Sequence, residues 1–309
     1  MTANMTEATN TFTCFGGACT VLVDGAGPLG SPPEAVSAAT DQLLVWHDQF
    51  SRFKPASELA GLNRDPDDRV SVTPIMARFV QAVIDAAELT GGLVDATMLD
   101  EIEEAGYKAD HLRASLALPL ALALAPPRQP GGRHPAERWR SVVVDHEAGT
   151  VSRPPGLHFD GGGIVKGLFA DVLGEMLVAH DGFAIDCEGD LRVGGAAGVE
   201  RTIEVAAPFD GSVLHEFALS DGGVATTGIT KRSWLDRGRP AHHLLDPATG
   251  RPAYTGVVQV TALAPTAVEG EALAKAALLS GPDGAAGWLR HGGVVVYDDL
   301  SHVVIDPAG

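Results

Sequence analysis

Four short islands of this chain hold chemistry-bearing side chains where apolar runs break off. In Asp186-Cys-Glu-Gly-Asp190, three carboxylates fall within five residues of an otherwise apolar stretch, Phe183 to Val193. Buried acids are costly unless they are paired or bound to a cation. The stretch therefore reads either as a strand bulged at Gly189 with its acids in water, or as a wall of a ligand or metal site. Ala225-Thr-Thr-Gly228, followed by Lys231-Arg232, offers hydroxyls and cations that suit a phosphate or the edge of a flavin. His242-His-Leu-Leu-Asp-Pro-Ala-Thr-Gly250 places an imidazole before an Asp-Pro turn, where it can serve as a base near neutral pH or be held structurally by a carbonyl. Glu271 and Lys275 are four apart and so share a helix face, as an ordinary surface ion pair would.

A fifth stretch organises the others. Leu157 to Leu177 carries Gly161-Gly-Gly163 and then apolar residues (Ile164, Leu168, Val172, Met176) at helical spacing. This predicts a loop feeding a helix whose first turn holds unpaired N–H groups, the positive end of the dipole and Lys166. Such a start is suited to a phosphate group, though glycine turns of this kind also occur for packing alone.

The elements that must position these islands are legible in outline. Ser31-Pro-Pro-Glu opens a helix with Val36, Leu43 and Phe50 on one side, and Ser57 to Asn63 reads as a short helical turn. Thr73-Pro74 opens a third helix, closed by Thr90-Gly-Gly. From Ser141 onward short strands dominate: a hairpin across Ser141–Val144 and Thr150–Ser152, then Phe183–Val193, Thr202–Ala206, Val213–Leu219, Gly223–Thr227 and Val257–Leu263. Helices at Ala267–Leu279 and Gly284–Arg290 precede a final strand pair, Gly293–Tyr297 and His302–Ile305. Helices amid sequence-adjacent strands predict an α+β fold with a largely antiparallel sheet, not a doubly wound one. Leu112 to Ala125 is a highly apolar window too short to span a bilayer. It runs into a Pro/Gly/Arg-rich stretch that reads as an exposed loop, so residues 1–309 form one domain with an insertion at about 112–136.

Composition narrows the function. A net charge of −18 without a basic stripe argues against nucleic acid and against an anionic membrane surface. Cys14, Cys19 and Cys187 are odd in number and lack metal-site spacing, as expected of small core residues in a reducing compartment. The first twenty residues show no secretory pattern, which leads to the expectation of a cytoplasmic protein.

Taken in order, the islands resemble the ApbE family, the FAD:protein FMN transferases. The carriers are Ser51-Arg-Phe-Lys-Pro-Ala-Ser-Glu-Leu-Ala-Gly-Leu-Asn63, Thr90-Gly-Gly-Leu-Val-Asp95, Asp160-Gly-Gly-Gly-Ile-Val-Lys-Gly167, Gly189-Asp190, Ala225-Thr-Thr-Gly228, His243-Leu-Leu-Asp-Pro-Ala-Thr-Gly-Arg-Pro252 and the Val260–Pro265 strand before the Glu271 helix. The resemblance implies a T-fold-like catalytic domain that cleaves FAD with magnesium and attaches FMN, through a phosphoester, to a threonine of an acceptor flavoprotein. Some relatives instead hydrolyse FAD to FMN and AMP, and a chain that kept the fold could bind flavin without chemistry. Carried over by position, Phe15, Phe53, Leu93, Val94, Asp95, Gly162, Lys166, Leu168 and Leu244 are implied to contact FAD. The Val165 carbonyl and Glu271, with Ala274 and Lys275, are implied at the magnesium site, and His243 is implied as the base that takes the acceptor's proton.

The chain departs from the family pattern at informative places. The family has an aspartate where Glu271 stands and a hydroxyl residue where Lys275 stands; a protonated ammonium donates three hydrogen bonds and accepts none, so it cannot ligate a metal. Two arrangements are open: an ion held by Glu271 with Glu269, or Lys275 in place of the ion. Glu188 also replaces a glycine in the usual Gly-Gly-Asp motif, adding bulk where that motif is tight, and Leu168 replaces a common aromatic. These departures describe a divergent member.

Overall fold

The computed structural model describes residues 7–108 and 117–307. Its centre is one eight-stranded, wholly antiparallel sheet whose spatial order follows the chain: β1 (Glu7–Cys14), β2 (Gly17–Asp24), β3 (Gly182–Cys187), β4 (Asp190–Gly194), β5 (Gly222–Gly228), β6 (Val257–Ala264), β7 (Gly293–Tyr297) and β8 (His302–Ile305). The fold is thus α+β with a large antiparallel sheet, as expected. Between strands the chain makes excursions, and these supply the helices: α1 (Pro32–Phe50), α2 (Glu58–Arg64), α3 (Pro74–Leu89), α4 (Leu99–Glu104), α5 (Leu118–Leu124), α6 (Val165–Leu177) and α7 (Ala267–Ala285).

Three of these helices pack across the sheet in steps, α1 on β1 and β2, α6 on β3 and β4, and α7 on β5 and β6. The helix starts follow their sequence signals. The Glu34 carboxylate accepts from the backbone N–H and hydroxyl of Ser31, and the Ser57 and Thr73 hydroxyls accept from Ala60 and Met76 N–H. One apolar core joins α1, α3 and α6 to β1–β3, with Phe79, Phe159, Phe169 and Phe183 fully buried; a second joins α7 to β6 and β7. Strand β6 is buried along its whole length, as the near-continuous apolar run Val257–Ala264 requires.

Several expectations are corrected. Phe183–Val193 is not one strand but a tight hairpin: β3 and β4 are joined by Glu188 and Gly189, both at positive φ (60° and 96°), the backbone of a two-residue type I′ turn. Helix α7 runs to Ala285, but it holds a break at Gly281 (φ 72°) just before Pro282, so the two predicted helices exist as segments of a kinked pair. The Pro/Gly/Arg-rich stretch after Ala125 is exposed as predicted, yet it is pinned. Gln129 N–H donates to Tyr254 O, Gly131 N–H to Leu279 O and Gly132 N–H to the Asp246 carboxylate. Of the apolar window, residues 118–124 form α5 and residues 112–116 lie outside the described residues, as do residues 1–6 of the N-terminal stretch read for a signal. All three cysteines are free and buried, with Cys19 directly opposite Cys187 across β2 and β3.

Candidate active site

The triple glycine and the Asp-Pro corner face one cleft of about 540 Å³. Its walls are largely apolar, with Phe15, Phe53, Leu93 and Leu244 among them, and its floor holds Gly162, Lys166, Arg232, His243 and Lys275. A smaller polar recess of about 60 Å³ adjoins the floor, lined by Thr226, Thr227, Asp190, Glu271 and Lys275 among others. All four islands therefore converge. Strand pairing explains how: Asp190 sits opposite Ala225, which brings the first island to the second, and Thr226 sits opposite Thr261, with their hydroxyls 2.8 Å apart.

The glycine turn is held from several sides. The Asn63 side chain of α2 clamps Phe159, accepting from its N–H and donating to its C=O, both at 2.8 Å, and Asp160 N–H donates to Ala96 O. Gly161–Gly163 form one 3₁₀ turn, and α6 starts at Val165, so Lys166 lies in its first turn as predicted. None of the three glycines has positive φ; they are there for closeness. A side chain at Gly163 would meet Lys275 Cε at 3.2 Å, whereas Gly162 is exposed.

The decisive geometry lies between α6 and α7. The Asp171 carboxylate of α6 accepts from the Ala267 and Val268 N–H groups at 2.8 and 2.9 Å, binding the start of α7. At Gly167 a Cβ would lie 2.8 Å from the Val268 backbone, so only glycine lets the helices approach this closely. That approach brings Glu271 to the start of α6. One of its oxygens accepts from Gly167 N–H at 3.2 Å, and the other from Lys275 Nζ at 2.9 Å. Alongside, Lys166 Nζ lies 2.6 Å from Asp190 Oδ2.

The Glu271–Lys275 pair is not the surface ion pair that helix spacing alone suggests; Glu271 is 1% exposed. Burial disfavours the charge on Lys166, but Asp190, Glu271 and Glu188 outweigh it and hold its pKa above the usual lysine value. Burial and the neighbouring Glu271 charge push Asp190 up to about 6, against the pull of Lys166 and Lys275. Burial likewise raises Glu271, but Lys275 and Lys166 more than offset it, leaving it below the usual carboxylate range. His243 is held well below the ordinary histidine value by burial and by the nearby Arg232 charge, so at neutral pH it is an uncharged imidazole. Its buried Nδ1 has no hydrogen-bond partner among the described residues.

The remaining predicted residues divide into two groups. Phe15, Phe53, Leu93, Val94, Asp95, Val165 and Leu244 line the cleft. Phe15 is fixed by its N–H donating to His47 Nδ1 and by ring contacts with His47 and Phe169. Asp95 uses one oxygen to accept from the Thr97 N–H and hydroxyl, while its buried Oδ2 has no partner among the described residues. Leu168 and Ala274 instead lie in the two cores and line neither cavity. Glu188 fits despite its bulk because Gly17 faces it: a Cβ there would lie 2.5 Å from Glu188 Cγ. Its carboxylate pairs with Arg232 at 2.7 Å, and Arg232 also donates to Phe15 O.

Two residues escaped the sequence reading of the site. Arg52 lies over the Phe53 and Tyr107 rings (4.4 and 4.7 Å), donates to Tyr107 O and pairs with Asp160 at 3.4 Å. Its only signal was its place beside Phe53. Tyr107, stacked on Trp234 at 5.3 Å, had none, because its partner is more than a hundred residues away.

The ApbE family profile matches residues 15–297. The chain belongs to the ApbE family. It is 26% identical over 283 residues to an FAD:protein FMN transferase of Klebsiella pneumoniae, covering 88% of this chain and 77% of that one. It is 24% identical over 267 residues to the Haemophilus influenzae protein of the same name, covering 81% and 73%. The Treponema pallidum FAD:protein FMN transferase is 31% identical over 149 residues, but the match spans only 44% of this chain and 41% of that relative. Among solved structures, the ApbE protein of Thermotoga maritima superposes with a TM-score of 0.77 at 23% identity, covering 97% of both chains. The apo flavinyl transferase ApbE of Pseudomonas stutzeri gives 0.75 at 18%, covering 97% of this chain and 94% of that one. These structures share the fold.

The family resemblance implies a magnesium ion beside Glu271, and the residues present do not fit one. Both Glu271 oxygens are already engaged, Lys275 offers donors only, and among the described residues no three His, Cys, Asp or Glu side chains gather as metal ligands.

Proposed function

We propose that this chain is an FAD:protein FMN transferase that moves FMN onto a threonine of a cytoplasmic flavoprotein. The observation that carries the reading is the convergence of Lys166, Lys275, Arg232 and His243 on the floor of a cleft with aromatic and aliphatic walls. Apolar walls suit the ring systems of a dinucleotide, and the ammonium and guanidinium N–H donors of the floor suit its diphosphate. Asp95 Oδ2 and His243 Nδ1 are buried without partners among the described residues, and a ligand in the cleft would supply them.

In this reading the threonine oxygen forms a bond to the FMN phosphorus as the bond from that phosphorus to the bridging oxygen breaks. AMP leaves with that oxygen, and the hydroxyl proton passes to the neutral His243 imidazole. Lys166 and Lys275 hold the non-bridging oxygens as their charge rises. The apolar walls keep bulk water from competing with the threonine, which separates transfer from hydrolysis.

The test is incubation of the chain with FAD and a threonine-bearing acceptor flavoprotein, with chromatography of the nucleotides and in-gel fluorescence of the acceptor. AMP together with a covalently fluorescent acceptor is the expected outcome. AMP and free FMN without labelling would make the chain an FAD pyrophosphatase, and bound, unchanged FAD would make it a flavin-binding protein.

A further inference from the structure

We infer that Lys275 is the resident cation of this cleft, so that the chain grips and cleaves the diphosphate without a divalent metal. The inference rests on the FAD reading of the cleft and deepens it. Three observations carry it. First, the carboxylate best placed to ligate an ion is already engaged at both oxygens: one Glu271 oxygen takes Lys275 Nζ at 2.9 Å, the other takes the Gly167 N–H at the start of α6. An incoming ion would have to share or displace these donors, one of them a full positive charge.

Second, the charges already close. Lys166 against Asp190 and Glu271 alone would leave one negative charge in excess, which invites a cation; Lys275 supplies that charge and makes the floor neutral. A dication added to this set would face two buried ammoniums at close range, and low-dielectric surroundings strengthen that repulsion.

Third, the lysine is built in. Its stem packs over Gly163, where any side chain would meet Cε at 3.2 Å, and its ammonium lines both the cleft and the polar recess. With one N–H spent on Glu271, two remain for phosphoryl oxygens. The triple glycine therefore serves the lysine as well as the ligand: Gly163 is the groove in which the cation is seated.

The test measures FAD affinity by flavin fluorescence quenching in EDTA and in millimolar magnesium, and manganese binding by electron paramagnetic resonance. For the wild-type chain the expected result is an FAD affinity equal within about twofold in the two buffers and no tightly held manganese. Lys275→Arg should keep this metal indifference. Lys275→Thr should lose about 10- to 100-fold in FAD affinity in EDTA, the worth of a charge-assisted hydrogen bond, and recover it with magnesium. Wild-type FAD affinity that rises tenfold with magnesium, or stoichiometric manganese on the wild-type chain, overturns the inference and leaves the FAD reading standing. Failure to bind FAD in either buffer overturns both.

Discussion

Arg78 of α3 and Glu175 of α6 meet on the outer flank through two hydrogen bonds of 2.9 and 2.6 Å. Lys166–Asp190 and Lys275–Glu271 meet at the cleft floor at 2.6 and 2.9 Å. The distances are the same and the surroundings are not. The flank side chains are 39% and 58% exposed, whereas the cleft carboxylates are each 2% exposed. In water, a pair gains little over its separate hydration, typically 0–1 kcal/mol. Under a protein surface, two charges lose their hydration and regain it only through each other, so apolar replacements would serve stability as well or better. The flank pair decorates a helix junction. The cleft pairs are costly to place there, and the proposed diphosphate ligand, which needs hydrogen-bond donors in a closed space, would justify them.

The largest effect should follow from the group that completes the cleft without belonging to any pair. Replacing His243 by alanine removes the imidazole proposed to accept the threonine proton. Turnover, read as AMP release and acceptor labelling, should fall by about 10² to 10⁴-fold, while FAD affinity changes by less than about threefold. A comparable loss of affinity would make His243 a binding residue and shift the base elsewhere.

Next in size is Glu271→Ala, which strands the Lys275 and Lys166 charges beside Asp190 alone and frees the Gly167 N–H in a closed space. Urea unfolding should show a loss of about 3–5 kcal/mol, the cost of a buried charge left without its partner. Glu271→Ala and Glu175→Ala delete the same carboxylate from pairs of the same length. If the two variants lose equal stability, burial is not what distinguishes the regions.

The contrast between those regions also explains what the sequence could tell. Helices α1, α3, α6 and α7 and most strands of the sheet are legible because burial of one face imposes a local period, and caps such as Ser31 and Thr73 mark their starts. The Glu188–Gly189 turn was read as strand because a single glycine in Phe183–Val193 is the only local sign of it. The demand for positive φ at Glu188 is met by side-chain contacts with Arg232 and by Gly17, far away in the chain. Helix α4, six residues long, carries too little period to read. For the site, residue types pointed to the right islands, but whether Glu271 and Lys275 face water or each other in the interior depends on Gly167 meeting Val268 across two helices. No spacing within either helix records that approach.

A third effect concerns a neutral group buried behind the cleft, next in the chain to His243. His242 is 1% exposed, its ring 4.8 Å from that of Tyr254, and burial lowers its pKa to about 4. The unfolded chain takes up a proton near the ordinary value of 6.5, and the folded chain only near 4. Between those values the unfolded state holds more protons, so this residue's contribution is fully present above pH 6.5 and is lost as pH falls toward 4. The span corresponds to roughly 3 kcal/mol. Unfolding at pH 7 and pH 4.5 should show that His242→Gln flattens the acid loss by most of that amount. An unchanged pH slope would mean the imidazole is charged or solvated in the folded chain.

The smallest effect is the other arm of the comparison. Arg78→Ala and Glu175→Ala each remove an exposed pair that holds Glu175 below the usual carboxylate range mainly through its hydrogen bonds with Arg78. Each should cost less than about 1 kcal/mol, should cost still less in high salt, and should leave FAD affinity unaltered. A double-mutant cycle on this pair isolates its coupling from the packing of the arginine stem along α3. A coupling above about 2 kcal/mol would mean that two parallel hydrogen bonds suffice to make an exposed pair strong. In that event the short contacts at the cleft floor could be explained by stability alone, and their burial would lose its force as an argument for a bound diphosphate.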